Sequence, residues 1–417
     1  MLDRFSISKS FWALFLFALF FKFGAGLHYT LLSTLGERVF PVWVAGCIIS
    51  AASVLQMIGD VPAGMLLDKY GYTRMLKIFV CVFILAGGVL FFGLTPVTFI
   101  GTVILSTLGW LFFGPGVNAY VLAEAPHRSA GRAMGMLHMF DSTGVVGATA
   151  LLAFVISASP QYIGFVISML LLCALMFLLF VPKESVSVHR VEKTPRHQYY
   201  IRRHFLHTVV GAVRKLNPAS MILALQSFAA ASFYGMIWFV VPLAIAGGLA
   251  GTLPSIGLGV FDLAVVLLGA FFGKLADTTH KPFLVALGLF LFAGAGLLLG
   301  FNLNILFLLL GFIATAGDEL SNVSLWAWLD TLDADHAQDG LVNGVITFFE
   351  DVGWAVGPAI AGALFTRIGP GGVIIVGASI LCIVWLIVLV VLFQQRGRTI
   401  LGHRHALGAP YRSRHKR

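Results

Sequence analysis

Apolar residues in this chain neither alternate as they would along strands nor trace one narrow helical stripe. They come in runs of about 20 residues or more, the length a helix needs to cross the hydrocarbon core of a bilayer. Cutting the chain at its polar turns leaves twelve such runs. The pattern predicts helices over 11–34, 41–66, 75–95, 97–124, 132–157, 160–181, 218–246, 253–275, 282–301, 304–329, 341–366 and 371–394. A polar stretch from Pro182 to Asn217 divides the sixth from the seventh, and a polar tail follows the twelfth. The expected fold class is an all-α polytopic membrane protein of twelve transmembrane helices. It is arranged as a six-helix half over 1–181, a linker over 182–217, a second six-helix half over 218–394 and a tail over 395–417.

The two halves repeat one another. Gly64 and Asp68, at the turn between the second and third runs, recur as Gly273 and Asp277 at the equivalent turn, and both pairs are separated by 209 residues. The same offset carries Gly131, Gly135, Asp141 and Gly144 of the fifth run onto Gly340, Gly344, Glu350 and Gly353 of the eleventh. Those residues played no part in finding the offset, so their agreement makes the halves pseudo-symmetric copies.

Composition agrees with a membrane protein: 59% of residues are hydrophobic, 11% are charged and the mean hydropathy is +0.94. The formal charge of +9 would suit a nucleic-acid partner in a soluble protein, but its placement follows the positive-inside bias. With the N-terminus cytoplasmic, every one of the 27 lysines and arginines except Arg38, Arg367 and the intramembrane Lys22 falls on the cytoplasmic side. Both termini are therefore expected in the cytoplasm, with the basic tail holding the chain in that orientation and, secondarily, attracted to anionic lipid headgroups. No nucleic-acid partner is expected. Met1 to Ser10 precedes the first run without a small-residue cleavage site after it, so that helix is expected to be retained. The four cysteines, Cys47, Cys81, Cys173 and Cys382, lie inside apolar runs without disulfide or metal-ligand spacing, and read as packing residues.

The turn Gly64-Met-Leu-Leu-Asp68-Lys69-Tyr-Gly71-Tyr-Thr-Arg74 resembles the loop signature of the major facilitator superfamily: a glycine, an acid four residues on, a base, a second glycine and further bases. Thr73 stands where another base is usual, and the second copy keeps Gly273 and Asp277 without the second glycine. The resemblance implies two parallel halves that rock about a central solute site. It also implies a gating contact between Asp68 and the start of the eleventh helix, where free N–H groups favour an anion; a loop ion pair of Asp68 with Lys69 or Arg74 is the alternative. Gly357-Pro358 to Gly362 is similar to a glycine-proline motif that the family's antiporters carry in helix five. Ala148 and Thr149 occupy that place here, so antiport is not assigned.

Ionisable and polar residues within the runs locate a pathway, since a charge at mid-bilayer costs about 2.5–3.5 kcal/mol on insertion scales and seeks a polar interior. Helical spacing places Lys22 and Tyr29 on one stripe of the first helix, with His28 pointing elsewhere. The fourth helix presents Trp110 and Asn118, the seventh Gln226, Tyr234 and Trp238, and the tenth Thr315, Asp318, Asn322 and Trp326. These four helices are equivalent under the repeat and, in the resembling family, line the central cavity. The aromatic members equally fit packing or interface anchoring. Asp318, Asp141 and Glu350 are the candidate proton-coupling groups, with Asp262 and Asp351 as weaker ones. Lys22 is the base that sets the cavity's charge, and His138, one turn before Asp141, is either a relay or a packing residue.

The expected function is secondary active transport of a small organic solute by alternating access, coupled to protons, in the cell's inner or plasma membrane and as a monomer. A facilitative carrier of the same fold, or a non-transporting membrane receptor or accessory protein, are the alternatives. No nucleotide-binding loop, paired metal ligands or nucleophile–base constellation appears, so neither an enzyme nor a cofactor is expected.

Overall fold

The computed structural model of the protein describes residues 9–124, 130–183, 218–247, 258–332 and 339–407, and those residues form helices joined by short turns, without a strand. The helices, in chain order, are α1 (Lys9–Glu37), α2 (Val42–Tyr70), α3 (Tyr72–Val89) and α4, which runs as Pro96–Leu111 and then Phe113–Glu124. After these come α5 (Ala130–Val155), α6 (Pro160–Leu179), α7 (Pro218–Ala246), α8 (Gly259–Thr278), α9 (Lys281–Phe301) and α10 (Leu306–Leu332). The stretch Asp339–Leu407 bends at Gly369, which divides it into α11 (339–368) and α12 (370–407). Nine helical stretches among the described residues are long and apolar enough to cross a membrane, the α11–α12 arms counting as one. The two left over are the more polar α5 and α8, which carry Asp141 and Asp262.

Local chemistry sets the ends. Thr95 and Thr98 form a reciprocal capping box ahead of α4, with Pro96 at its first position, and the Ser159 hydroxyl accepts from Tyr162 N–H at the start of α6. Pro115 lacks an N–H and crowds the carbonyl four residues back, which is where α4 breaks, at Leu111 and Phe112. Gly71 takes φ 89°, a left-handed turn that reverses the chain between α2 and α3 in a single residue. The predicted boundaries hold to within a few residues elsewhere, except that α12 continues to Leu407, past the expected end at residue 394; the expected start of α8 at residue 253 lies outside the described residues. The linker beyond Lys183 and the tail beyond Leu407 lie outside the described residues.

The repeat is visible in contacts as well as in sequence. A Cβ at Gly144 of α5 would press on the Leu19 carbonyl oxygen of α1 and lie 2.9 Å from Lys22 Cβ and 3.1 Å from Phe23 N. At Gly353 of α11 the neighbours are Phe228 O at 2.5 Å, Ala231 Cβ at 2.7 Å and Ser232 N at 3.0 Å on α7. Each contacted residue is the 209-residue counterpart of the other. In lipid, where apolar burial does not drive helices together, such backbone-to-backbone approach through small residues is a main source of packing. Gly144→Val and Gly353→Val should each cost about 1–3 kcal/mol through overpacking. Thermal unfolding of the detergent-solubilised variants checks this, with both melting well below the wild type.

The halves meet along two seams. At α2–α11, Gly46 lies against the Pro358 carbonyl and Gly362, and Gly362 against Val42 and Trp43. At α5–α8, Gly259 packs on Thr149 and Val146. Core residues follow the same division, except that Met236, Phe239, Val240, Leu243, Ala361 and Val373 of the second half join the core of the first. All of these contacts lie toward the end of the molecule that carries the α1–α2 turn, called the loop end below.

Candidate functional site

Between the halves the facing surfaces change from buried to exposed along one direction. On α11, Gly357 and Pro358 are buried, Trp354 is half-buried, and Glu350 and Thr347 are exposed. On α10 the order is Thr315 buried, Asp318 and Asn322 half-buried, Trp326 exposed; on α5 it is Ala148 buried, Asp141 half-buried, His138 and Gly135 exposed. All three gradients run away from the loop end. The cavity is therefore closed at the loop end and open at the opposite one. The closure is aromatic: the Tyr29 ring of α1 lies 6.3 Å from Trp238 of α7 and 5.9 Å, edge-on, from Trp354 of α11.

Lys22 stands at the centre of the first half's wall. Its Nζ is 4.5 Å from the centroid of Trp110 and 5.2 Å from that of Phe113, a cation held over two ring faces. The α1–α5 contact at Gly144 brings Asp141, one turn away, within electrostatic reach of Lys22. Asp262 of α8 and Glu350 of α11 feel the same charge. Ser142 donates to Asp262 across the α5–α8 seam, and the Trp354 indole N–H donates to Glu350. Asp141 Oδ1 is buried with no hydrogen-bond partner among the described residues.

A second cluster belongs to the other half. Tyr234 Oη donates to Asp318 Oδ2 at 2.9 Å, Gln226 also bonds Asp318, and Ser321 Oγ donates to Gln226 Oε1 at 2.8 Å. The Tyr234 ring stacks on Phe292 at 5.5 Å, which fixes the phenol over the carboxylate. Asp318 is thus held by neutral donors and has Glu319 and Glu350 as its charged neighbours, while Lys22 faces Asp141, Asp262 and Glu350.

The remaining sequence candidates fall into three groups. Asn118 and Asn322 stand half-buried on the expected faces, and Trp326 is exposed at the open end. His28 is buried in the first half's core, its Nε2 3.2 Å from Thr102 Oγ1, as its position off the stripe requires. In the turn motif, Gly71 makes the reversal, Lys69 Nζ lies 5.0 Å from the Tyr70 ring, and Arg74 is exposed. Gly64 and Gly273 have no neighbour within 4 Å among the described residues. The side chains of Asp68 and Asp277 lie outside the described residues. Sequence reasoning missed Trp354 and Phe113 and gave Asp262 little weight. Trp354 was open to discovery, because it sits one helical turn after Glu350.

Residues 11–355 match the family model described as Major Facilitator Superfamily. A curated relative, "Multidrug resistance protein 2" of Bacillus subtilis (strain 168), is 26% identical over 329 residues, 77% of this chain and 79% of its own. Among solved structures, the human organic anion transporter MFSD10 aligns with a TM-score of 0.64 at 16% identity, over 92% of this chain and all of that one. A POT family transporter in complex with 5-aminolevulinic acid aligns with a TM-score of 0.71 at 12% identity, over 93% and 96% of the two chains. At these identities the solved structures establish the shared fold.

Proposed function

The chain belongs to the Major Facilitator Superfamily, an integral membrane protein built to transport a small solute, and from that premise we propose that it is a secondary active transporter driven by protons. The observation that carries the proposal is the cluster around Asp318: a membrane-embedded carboxyl on the cavity wall, held by Tyr234 and Gln226 with no base beside it among the described residues. A carboxylate in such surroundings is unfavourable unless its charge is used, and alternating exposure to the two sides of the membrane lets it bind a proton on one and release it on the other. The halves, 1–181 and 218–394, rock about the Tyr29, Trp238 and Trp354 contact, and the linker over 182–217 tethers them. Lys22 over Trp110 and Phe113, with Asp141 and Glu350 nearby, makes an amphipathic surface for an organic solute. The positive-inside bias orients both termini, with the tail over 395–417, and the open end of the cavity toward the cytoplasm of a cell-membrane monomer. The names of the relatives, a multidrug resistance protein and an organic anion transporter, agree with a small organic solute.

The test is uptake by the protein in sealed liposomes against a compound panel, with and without an imposed pH gradient. Accumulation that depends on the gradient supports the proposal; solute movement indifferent to pH identifies a facilitative carrier.

In this reading the Asp68 turn closes the cytoplasmic side in the opposite state. Asp68→Asn keeps the size and removes the anion, so it should slow transport several-fold, by about the 0.3–1 kcal/mol or more that a helix N-terminus gives an anion. Cysteine accessibility at the open end should rise. If flux and accessibility both match the wild type, Asp68 makes only a loop ion pair.

A further inference from the structure

Among the described residues, the contacts along each seam run from the loop end down to acids. Along α2–α11, contact passes from Gly46, Gly362 and Pro358 at the loop end down to Asp60 and Asp351, whose carboxyls are hydrogen-bonded to each other across the halves. One turn farther on, Gly64 has no neighbour within 4 Å among the described residues. Along α5–α8, contact passes from Thr149 and Gly259 to Ser142 and Asp262. Farther along, Gly135 has no such neighbour and His138 is exposed. Among the described residues, Asp60–Asp351 is the farthest contact from the loop end traced along this seam.

An ionised carboxyl has only acceptor oxygens, so a hydrogen bond between two of them requires that one carry a proton. With that proton gone, two like charges face each other at a partly buried position, and the attraction becomes a repulsion. The surrounding charges do not relieve it. Glu350, next to Asp351 on α11, is a third acid; it bonds Trp354 and faces Lys22 of α1 from the cavity side. The α4 helix meets this part of α2 with Leu111, which packs on Gly59. The charged groups around the pair among the described residues are thus Asp60, Asp351 and Glu350, with Lys22 beyond Glu350.

We propose that Asp60 and Asp351 form a proton-binding site shared between the two halves, which fastens the α2–α11 seam while the proton is held and releases it when the proton leaves. The site is separate from Asp318 and acts on the balance of conformations whether or not a solute is present. It requires the two carboxyls to act as a unit, with titration belonging to the pair and not to either residue.

The test uses the full-length protein in lipid nanodiscs, without solute or gradient, so that its outcome is independent of whether transport is proton-driven. Spin labels at Trp43→Cys and Ile368→Cys, both exposed near the loop end, in a background with the four native cysteines changed to Ser, report the seam by pulsed electron paramagnetic resonance. Raising the pH from mildly acidic to mildly alkaline should shift the population toward long separations by about fivefold or more. In Asp60→Asn the amide donates to Asp351 without a titrating proton, so the short separation should persist at every pH; Asp351→Asn should do the same from the other side. Asp60→Ala should favour the long separation even in acid. Asn variants that keep the wild-type pH response, or that lose the short separation altogether, would overturn the proposal.

Discussion

Replacing Asp318 with Asn should abolish accumulation driven by a pH gradient and leave exchange of solute at equal concentrations intact. The expectation rests on how that carboxyl is held. Tyr234 Oη lies 2.9 Å from Oδ2, Gln226 supplies a second bond, and stacking on Phe292 keeps the phenol in place. An Asn carbonyl accepts the Tyr234 hydrogen bond as the acid does, so the wall of the cavity keeps its shape. The substitution mimics the permanently protonated acid and removes a charge that costs about 2.5–3.5 kcal/mol to hold in mid-membrane. Exchange requires no net proton movement and survives, whereas gradient-driven uptake falls to the equilibrium ratio. Paired uptake and exchange assays on the variant in liposomes check this. Accumulation that persists in Asp318→Asn would transfer the coupling role to Asp141 or Glu350, which face Lys22 on the opposite wall.

Gly46→Leu or Gly362→Leu should prevent closure at the loop end and trap the opposite state. A Cβ at Gly46 would come within 2.5 Å of the Pro358 carbonyl oxygen and 3.1 Å of Gly362 Cα; at Gly362 it would meet the Val42 carbonyl oxygen at 3.0 Å. These neighbours are backbone atoms and have no rotamer by which to withdraw. Overpacking of this kind costs about 1–3 kcal/mol, and applied to one of two conformations it shifts their ratio by about five- to 150-fold. The glycines at the other end, Gly64 and Gly273, have open space around them in this conformation. Leu at Gly46 or Gly362 should therefore leave insertion and folding intact, suppress transport, and raise the reactivity of cysteines placed at the loop end. Unchanged reactivity would mean that the α2–α11 seam does not open there.

Much of this architecture could be read from the sequence because lipid imposes long apolar runs and because the halves are copies. The offset linking Asp141 to Glu350 and Gly144 to Gly353 reappears as matching helix contacts, α5 on α1 and α11 on α7. Lys22, Gln226, Tyr234 and Asp318 were legible as polar positions on helical stripes. Their grouping was not. Stripes tell which way a side chain points around its own helix, but Lys22 coming within electrostatic reach of Asp262 and Asp60 meeting Asp351 depend on how far one half is rotated against the other. Helix tilt and the depth at which each seam parts leave no periodic trace. The same holds for the repeat partners that differ in chemistry: Asp318 stands where the first half has Gly109, and Lys22 where the second has Ala231.

The most direct test of proton-driven transport is to follow protons and solute together. The purified wild-type protein is sealed into liposomes with an entrapped pH indicator, and compounds from the uptake panel are added one at a time without an imposed gradient. For a transported compound, the account predicts a proton flux that starts with solute entry, scales with it, and is absent in Asp318→Asn liposomes. Entry of a compound at full rate with no accompanying change in internal pH would contradict it.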